Sequence, residues 1–286
     1  MKAKIRDTEI FFDVDGAAVR PRGDALQEHS VAFLVHGGPG VDHNGYKVTC
    51  APLTSSMQLV YFDHRGHGRS GRGDPNKYTL DENVEDMEAL RSYLGVERIV
   101  SIGASYGGMV AMAHAARYPR SVSRLILIST ASHYGLIDRA KEILVARGTP
   151  EQRAAFSSVL DGRIDTIEDM TRYFEVMGSI FSTTFDPTKA KSARARSTYS
   201  PEPLNQAWGP GGFLRSFDLR NELGAITAPT LVLGARYDWI CAPEFSAEIQ
   251  RLIPAASLEI FEKSGHLLTT DDNERFVSTV TRFVTQ

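Results

Sequence analysis

Residues 98–117 read RIVSIGASYGGMVAMAHAAR, which is a buried-strand pattern followed by a glycine-rich turn and a helical run. The turn, from Gly103 to Gly108, contains the pattern G-x-S-x-G around Ser105. Small residues on either side of the serine let the backbone turn sharply, so that the hydroxyl projects beyond the carboxyl end of the strand. This context predicts that Ser105 is a nucleophile, and the alternative is a tight turn that happens to contain serine.

Short apolar runs on both sides of this turn predict a mostly parallel sheet. We expect buried strands at 30–35, 58–62, 98–102, 124–128, 229–234 and 257–261. The segments between the early strands are long enough for crossover helices. One such helix is predicted from Leu80 to Leu94, with a Thr79–Glu82 capping box before it and Gly95 after it. A second amphipathic helix is predicted near 274–284, and the predicted fold class is α/β.

The strand pattern disappears between residues 134 and 225, where the chain is polar, helical in pattern and interrupted by Gly and Pro. We predict that 134–225 is a helical lid inserted into an α/β core made of 1–133 and 226–286. The length of 286 residues and the hydrophobic content of 42% suit a single core of this kind with one insertion.

A serine hydroxyl needs a base to remove its proton and a carboxylate to hold that base in the right tautomer. Asp238 comes just after the predicted strand at 229–234, and His266 comes just after the strand at 257–261. None of the other seven histidines follows a late strand in this way. The order serine, aspartate, histidine along the chain therefore predicts a triad of Ser105, Asp238 and His266.

The tetrahedral intermediate of acyl transfer needs two hydrogen-bond donors directed at its oxyanion. The glycine loop HGGPG at 36–40 follows the strand at 30–35, so its amides can face the same site. We predict that the backbone amides of Gly38 and Tyr106 are the two donors. A phosphate loop is excluded because no Lys-Ser/Thr pair follows, which leaves a simple turn as the alternative.

Composition and charge exclude several classes of function. The formal net charge of -3 arises from 32 basic and 35 acidic side chains, which gives no field to attract nucleic acid or an anionic membrane. Cys50 and Cys241 lack a CxxC or metal-ligand spacing, and no apolar run has the length of a signal peptide or membrane span. We expect a cytoplasmic enzyme with a small-molecule substrate and no metal or organic cofactor. The oligomeric state stays open.

Three motifs together resemble those of a known family. HGGPG at 36–40, DHRGHGRS at 63–70 and GASYGG at 103–108 are similar to the motifs of the proline iminopeptidase-like branch of the α/β-hydrolase superfamily. In that branch the middle motif usually begins Asp-Gln-Arg-Gly. The likeness covers the predicted core, and it implies an α/β-hydrolase fold in which Asp63 and Arg65 brace the loop beside the site.

The resemblance also bears on the substrate. Related aminopeptidases hold the free amino end of a peptide with glutamates, one in a lid segment and one immediately after the triad aspartate. The matching positions here are Gly212 and Trp239, although a lid carboxylate such as Glu175 could take that role. His133 and Tyr134 also follow a strand end, and with Trp239 they predict an apolar to aromatic substrate pocket.

The leading hypothesis is hydrolysis of a carboxylic ester or amide of a small, largely apolar substrate through an acyl-enzyme. The first alternative is a proline iminopeptidase. A cofactor-free haloperoxidase or a ligand receptor on the same fold is a further alternative, since one fold serves several functions.

Overall fold

The computed structural model describes residues 1–286, with the exception of the side chain of Arg22. Along these residues the strands are β1 (Lys2–Ile5), β2 (Thr8–Asp15), β3 (Val19–Arg22), β4 (Ala25–Glu28), β5 (Ser30–Val35), β6 (Met57–Phe62), β7 (Ile99–Ala104), β8 (Val122–Ile128), β9 (Thr230–Ala235) and β10 (Ala256–Phe261).

The helices described are α1 (Asn44–Thr49), α2 (Leu80–Tyr93), α3 (Tyr106–Arg117), α4 (Leu136–Arg147), α5 (Pro150–Leu160), α6 (Ile167–Phe181), α7 (Pro187–Arg194), α8 (Pro201–Trp208), α9 (Pro243–Leu252), α10 (Leu268–Asp271) and α11 (Asn273–Thr285). Short 3₁₀ turns lie at Ala51–Ser55, Pro75–Lys77, Pro119–Ser121, Phe213–Arg215 and Leu223–Ala225.

One sheet, in the order β1-β2-β6-β5-β7-β8-β9-β10, forms the centre of the molecule. From β6 to β10 all neighbours pair in parallel, whereas β2 pairs antiparallel with both β1 and β6. Apolar side chains cover both faces: Phe33 and Val60 belong to one buried cluster, and Leu34 and Leu59 belong to the other. Because the central strands are parallel, their carboxyl ends meet at one edge, where open α/β sheets bind their ligands.

The predicted α/β fold and its central strands are confirmed. The strand expected at 30–35 is β5 without change of bounds, and the other predicted strands shift by one or two residues at one or both ends. The predicted helix from Leu80 is α2, and Thr79 caps it by accepting a 3.2 Å hydrogen bond from the amide of Glu82.

The antiparallel strands at the amino end were not predicted. In β1 buried and exposed residues alternate, as expected for an edge strand with one face on the core. Such a short alternating run does not by itself tell a strand from an irregular segment. The small β3–β4 hairpin, outside the main sheet, was also missed.

Five helices, α4 to α8, lie between β8 and β9, in the segment predicted to be a lid. They pack closely on the glycine loop after β5: a Cβ on Gly40 would lie 2.9 Å from Met170 in α6 and 3.0 Å from Leu204 in α8. The division into a core and a lid at 134–225 stays a prediction. Within the part of the chain that the structure describes, no helix has the length and apolar character needed to span a membrane.

Candidate active site

The turn between β7 and α3 holds Ser105 in a conformation that residues other than glycine rarely adopt. Its φ is 54° and its ψ is -127°, and backbone strain of this kind costs of order 1–3 kcal/mol. A Cβ on Gly103 would lie 2.3 Å from the carbonyl oxygen of Gly107, and one on Gly107 would lie 1.9 Å from that of Val35. The glycines of the motif are therefore required by the close approach of β5 and α3 to the turn.

Hydrogen bonds to the last residue of β8 and to the segment that follows it hold this strained turn in place. The amide of Ser105 donates to the carbonyl of Ile128 at 2.9 Å, and the hydroxyl of Thr130 donates to the carbonyl of Ser105 at 2.7 Å. The backbone polar groups of Ser105 are thus bonded while its side chain stays partly exposed. Helix α3 starts at the next residue, so the positive end of its dipole lies beside Ser105.

His266 and Asp238 form a hydrogen-bonded pair at the carboxyl edge of the sheet. The Nδ1 atom of His266 lies 2.8 Å from Oδ2 of Asp238. The other carboxylate oxygen accepts hydrogen bonds from the amides of Ile240 at 3.0 Å and Cys241 at 2.9 Å. Asp238 is fully buried and both of its oxygens are bonded. A carboxylate in this position favours the histidine tautomer with its proton on Nδ1, in which Nε2 can accept one.

The topology of the sheet explains how residues that are at least 28 positions apart in the chain come together at the carboxyl edge. Ser105 follows β7, Asp238 follows β9 and His266 follows β10, and these strands run parallel in one sheet. The structure brings Asp238 and His266 into contact and places Ser105 at the same edge. The hydrogen bond from the Ser105 hydroxyl to His266 stays a prediction, as does the catalytic role of the three residues.

The glycine loop after β5 lies directly against the serine turn. A Cβ on Gly37 would lie 3.2 Å from Cβ of Ser105 and 3.1 Å from the carbonyl oxygen of Ala104. Gly38 and Gly40 have φ values of 110° and 98°, which side chains other than glycine's rarely allow. This contact is what the predicted oxyanion donors, the amides of Gly38 and Tyr106, would require, and their role stays a prediction.

Three buried histidines support the glycine loop and are not suited to act as bases. His36 bonds to the carbonyl of Gly37 through Nδ1, at 2.9 Å, and accepts from the amide of His64 through Nε2, at 3.1 Å. The rings of His36 and His64 lie 4.3 Å apart, and the ring of His67 packs on both. Burial lowers the pKa of all three, that of His67 to about 3, so they are neutral at physiological pH.

Asp63 and Arg65 hold loops together beside this cluster. Asp63 accepts hydrogen bonds from Nδ1 of His43 at 2.7 Å and from the amide of Arg69 at 2.9 Å. Burial by itself raises the pKa of Asp63, but the His43 bond and the nearby imidazoles lower it to about 2. Arg65 binds both oxygens of Asp86, at 2.6 and 2.7 Å. The family resemblance implies that Asp63 and Arg65 brace the loop beside the site, and these contacts agree with such a structural role.

An aromatic ring from the segment 134–225 packs against the histidine. The ring of Phe181, the last residue of α6, lies 5.6 Å from that of His266. The carbonyl of Phe181 accepts a 3.0 Å hydrogen bond from the amide of Leu267. Phe181 was not predicted from the sequence, because a lone aromatic in a helical segment carries no signal that links it to a loop residue 85 positions later.

Trp239 is fully buried immediately after Asp238. Its ring packs edge-on against Phe156 at 5.1 Å and against Phe181 at 5.3 Å. Its Nε1 atom has no hydrogen-bond partner among the described residues. This position therefore supplies an apolar ring system and a single neutral donor, with no charge.

The other predicted pocket residues differ in their exposure and in the residues that they contact. His133 is paired with Glu248 of α9 at 3.3 Å, and its ring packs on Phe245. Tyr134 is 45% exposed. Glu175 is also exposed and forms a 3.1 Å ion pair with Arg194. At Gly212 a Cβ would lie 2.3 Å from the carbonyl oxygen of Ala207, so a glutamate there would require the backbone to shift.

Two surface cavities lie away from this region. One, of about 410 Å³, is bordered by Asp161 and Glu202, and the other, of about 550 Å³, by Arg6 and Asp74. Neither is lined by a residue of the predicted triad. Among the described residues, no group of three or more His, Cys, Asp or Glu side chains is arranged to hold a metal ion.

Comparison with known proteins finds hydrolases that are similar to this chain. Residues 33–272 match the family model described as "alpha/beta hydrolase fold". The chain is 29% identical over 276 residues to the proline iminopeptidase PfmaB of Pestalotiopsis fici, covering 94% of this chain and 97% of that protein. A second relative, a proline iminopeptidase of Clostridioides difficile, is 28% identical over 272 residues, covering 92% of each.

Solved structures agree with this match at the level of the fold. A proline iminopeptidase of Mycobacterium smegmatis superposes with a TM-score of 0.79 at 23% identity, covering 100% of this chain and 97% of that one. An esterase of Exiguobacterium antarcticum superposes with a TM-score of 0.77 at 20% identity, covering 100% of this chain and 99% of that one. Together with the relatives, these matches confirm the resemblance inferred from the three motifs.

Proposed function

Because the chain belongs to the α/β-hydrolase fold family, we propose that it is a serine hydrolase that cleaves a carboxylic ester or amide bond through an acyl-enzyme. Ser105 is the nucleophile, His266 the general base and Asp238 the carboxylate that orients the histidine. The observation that carries the proposal is the buried 2.8 Å hydrogen bond between Asp238 and His266, at the sheet edge where Ser105 sits in a strained turn.

In the first half of the reaction the Ser105 hydroxyl attacks the substrate carbonyl carbon while Nε2 of His266 takes its proton. The carbonyl oxygen becomes an oxyanion, which the amides of Gly38 and Tyr106 stabilise. The intermediate then collapses to an ester between Ser105 and the acyl group. The leaving alcohol or amine departs with the proton that His266 returns to it.

In the second half a water molecule attacks the acyl-enzyme. His266 takes one proton from this water, and the same two amides stabilise the resulting oxyanion by donating hydrogen bonds to it. Collapse releases the carboxylic acid, and the proton returns to Oγ of Ser105. Throughout both halves Asp238 keeps its charge and stabilises the imidazolium form of His266.

The surroundings of the site favour a neutral, largely apolar substrate. The ring of Phe181 packs against His266 and against the ring of Trp239, the residue after Asp238. Neither of the positions that would hold glutamate in related aminopeptidases, 212 and 239, carries a carboxylate here. An unpaired ammonium group would cost several kcal/mol to bury in such a place. Esters and N-acylated amides of small carboxylic acids therefore fit the site best.

Proline iminopeptidase activity is the second candidate, and the names of the relatives favour it. It requires a partner for the free amino group of the substrate. Glu175 is the carboxylate proposed for that role, but it is exposed and already paired with Arg194. This candidate therefore depends on a rearrangement that frees Glu175 or another lid carboxylate.

A fluorophosphonate probe tests the serine hydrolase proposal. The expected result is stoichiometric labelling of the native chain, with the modified peptide mapped to Ser105 and with labelling blocked by prior incubation with a short-chain aryl ester. A chain that is folded but resists the probe and leaves a panel of aryl esters intact would contradict the proposal and favour a ligand receptor. Labelling at a different serine would overturn the assignment of Ser105.

A further inference from the structure

The carboxylate of Asp271 accepts hydrogen bonds from the residues that follow helix α6. This helix finishes at Phe181, and the three residues that follow it turn toward Asp271. Oδ1 of Asp271 accepts from the hydroxyl of Ser182, and from the hydroxyl and amide of Thr184 at 2.8 and 3.3 Å. Oδ2 accepts from the amide of Thr183 at 3.1 Å. One side chain near the carboxyl end of the chain therefore binds the whole turn.

The same carboxylate also holds the loop that carries His266. Oδ2 of Asp271 accepts a 2.8 Å hydrogen bond from the amide of Gly265, the residue directly before the histidine. On the other side of His266, the amide of Leu267 donates to the carbonyl of Phe181. A Cβ on Gly265 would lie 2.7 Å from that carbonyl oxygen, so the loop and the helix end are in close contact.

These bonds differ from an ordinary helix cap. Asp271 is the last residue of the short helix α10, yet its partners are Gly265 and residues 182–184, which lie 87 to 89 positions away in the chain. Burial raises the pKa of Asp271, but the bonds from Ser182, Gly265 and the two threonines lower it below the ordinary value. The group is therefore a charged acceptor at neutral pH, and hydrogen bonds to a charged acceptor are about twice as strong as neutral ones.

We infer that Asp271 is a positioning residue that couples the end of α6 to the predicted base His266. When the turn 182–184 is seated on Asp271, the amide of Gly265 is held and the histidine ring is kept in line with Asp238. When the turn leaves, the carboxylate loses its partners on one side and the loop before His266 is released. The inference rests on the proposed function, because it assigns to the loop the task of presenting a catalytic base.

Two alanine variants compare the two ends of the same helix. Asp271→Ala removes the carboxylate at the carboxyl end of α6. Asp169→Ala, the matched control, removes the carboxylate that caps its amino end through Thr166, at 2.8 and 2.9 Å. Asp169 has no hydrogen bond to the histidine loop among those the structure describes. We expect Asp271→Ala to lower kcat for an aryl ester about 10- to 100-fold with KM changed less than about threefold. Asp169→Ala is expected to leave both constants near those of the native chain.

A variant in the turn 182–184 tests the same coupling with a smaller change than Asp271→Ala. Thr184→Val removes one hydroxyl donor to Oδ1 and leaves the bond from Gly265 to Oδ2 untouched. We expect kcat to fall about two- to fivefold, and we expect no further loss when Thr184→Val is added to Asp271→Ala, because residues in one network are not additive. Full additivity of the two losses would overturn the coupling.

Amide hydrogen exchange tests the inference without relying on activity. Asp271→Ala and Thr184→Val are both expected to speed exchange in residues 264–268 as well as 182–184, and Asp169→Ala to speed it only near the start of α6. Unchanged exchange at 264–268 in Thr184→Val, which is conservative enough to fold, would overturn the inference. A native chain without Ser105-dependent turnover would instead refute the proposed function, while the exchange result still decides whether Asp271 links the two segments.

Discussion

The rings of Trp239 and Phe181 pack at 70° to each other with their centroids 5.3 Å apart. Trp239 is the residue after the predicted triad aspartate, and Phe181 lies beside His266. The family resemblance implies a glutamate at this position in related aminopeptidases, whereas this chain has an uncharged aromatic ring there. The absence of a charge at this position is the reason to expect a preference for substrates without a free amino group.

We predict that an N-acetylated proline anilide is cleaved with a higher kcat/KM than the free proline anilide. The free compound brings an ammonium group for which the site offers no evident carboxylate, and losing one partner of a buried charge pair typically costs about 2–5 kcal/mol. The two anilides share a leaving group, so their ratio isolates the effect of the amine. If the free anilide is cleaved ten or more times better, a lid carboxylate binds the amine and the enzyme is a proline iminopeptidase.

Asp238→Asn should lower kcat by about three to four orders of magnitude while the loop keeps its structure. The amide oxygen of asparagine can still accept from Ile240 and Cys241, but its NH₂ group then faces Nδ1 of His266 and selects the wrong tautomer. Turnover of an aryl ester, with a thermal melt to verify folding, measures the effect. A loss smaller than tenfold would show that Asp238 does not orient the base.

Gly107→Ala should destabilise the serine turn strongly. A Cβ there would lie 1.9 Å from the carbonyl oxygen of Val35, so the backbone of β5 or α3 must shift, and overpacking of this kind costs about 1–3 kcal/mol or more. Gly45→Ala is the matched control, since outside its chain neighbours and the backbone of its own helix no atom lies within 4 Å of the added methyl group. Denaturant unfolding of both variants measures the difference. Equal midpoints would contradict the geometry described for the turn.

The sequence was sufficient to predict which candidate residues lie together at the carboxyl edge of the sheet. Ser105, Asp238 and His266 each come after a run of buried apolar residues, and parallel strands carry such residues to one edge of the sheet. The pairing of Asp238 with His266 is the outcome of that rule. The glycines at 37 and 107 belong to the two predicted glycine-rich turns, and the structure shows that both come close to neighbouring backbone.

Residues that act through long-range contacts could not be predicted in this way. Phe181 reaches His266, and Asp271 reaches Ser182, only because the helices after β8 fold back over the sheet edge. Neither residue stands in a pattern that ties it to its partner. The amino-terminal strand β1 was missed for a different reason: it is four residues long, too short for its alternation to be distinctive.

Acid should weaken the loop that Asp63 braces. The pKa of Asp63 is lowered to about 2 in the folded chain, against about 3.9 for an unperturbed aspartate. The carboxylate therefore contributes stability that is complete above about pH 4 and is lost as the pH falls toward 2.

We predict that Asp63→Asn reduces the free energy of unfolding at pH 7 by about 2 kcal/mol, and that this difference from the native chain shrinks between about pH 4 and pH 2. Asp24→Asn, in the exposed turn between β3 and β4, is the control and should change stability little at any pH. Urea unfolding across this pH range measures both variants. A difference for Asp63→Asn that stays constant with pH would contradict a lowered pKa.

The turnover of a short-chain aryl ester by Ser105→Ala decides whether Ser105 is the nucleophile. The matched control is Ser101→Ala, which removes a buried hydroxyl from the same strand β7, four residues earlier. We predict that Ser105→Ala loses about four to six orders of magnitude in kcat while it unfolds at the temperature of the native chain, and that Ser101→Ala keeps its activity. A folded Ser105→Ala chain that retains more than about a tenth of the native kcat would contradict the account.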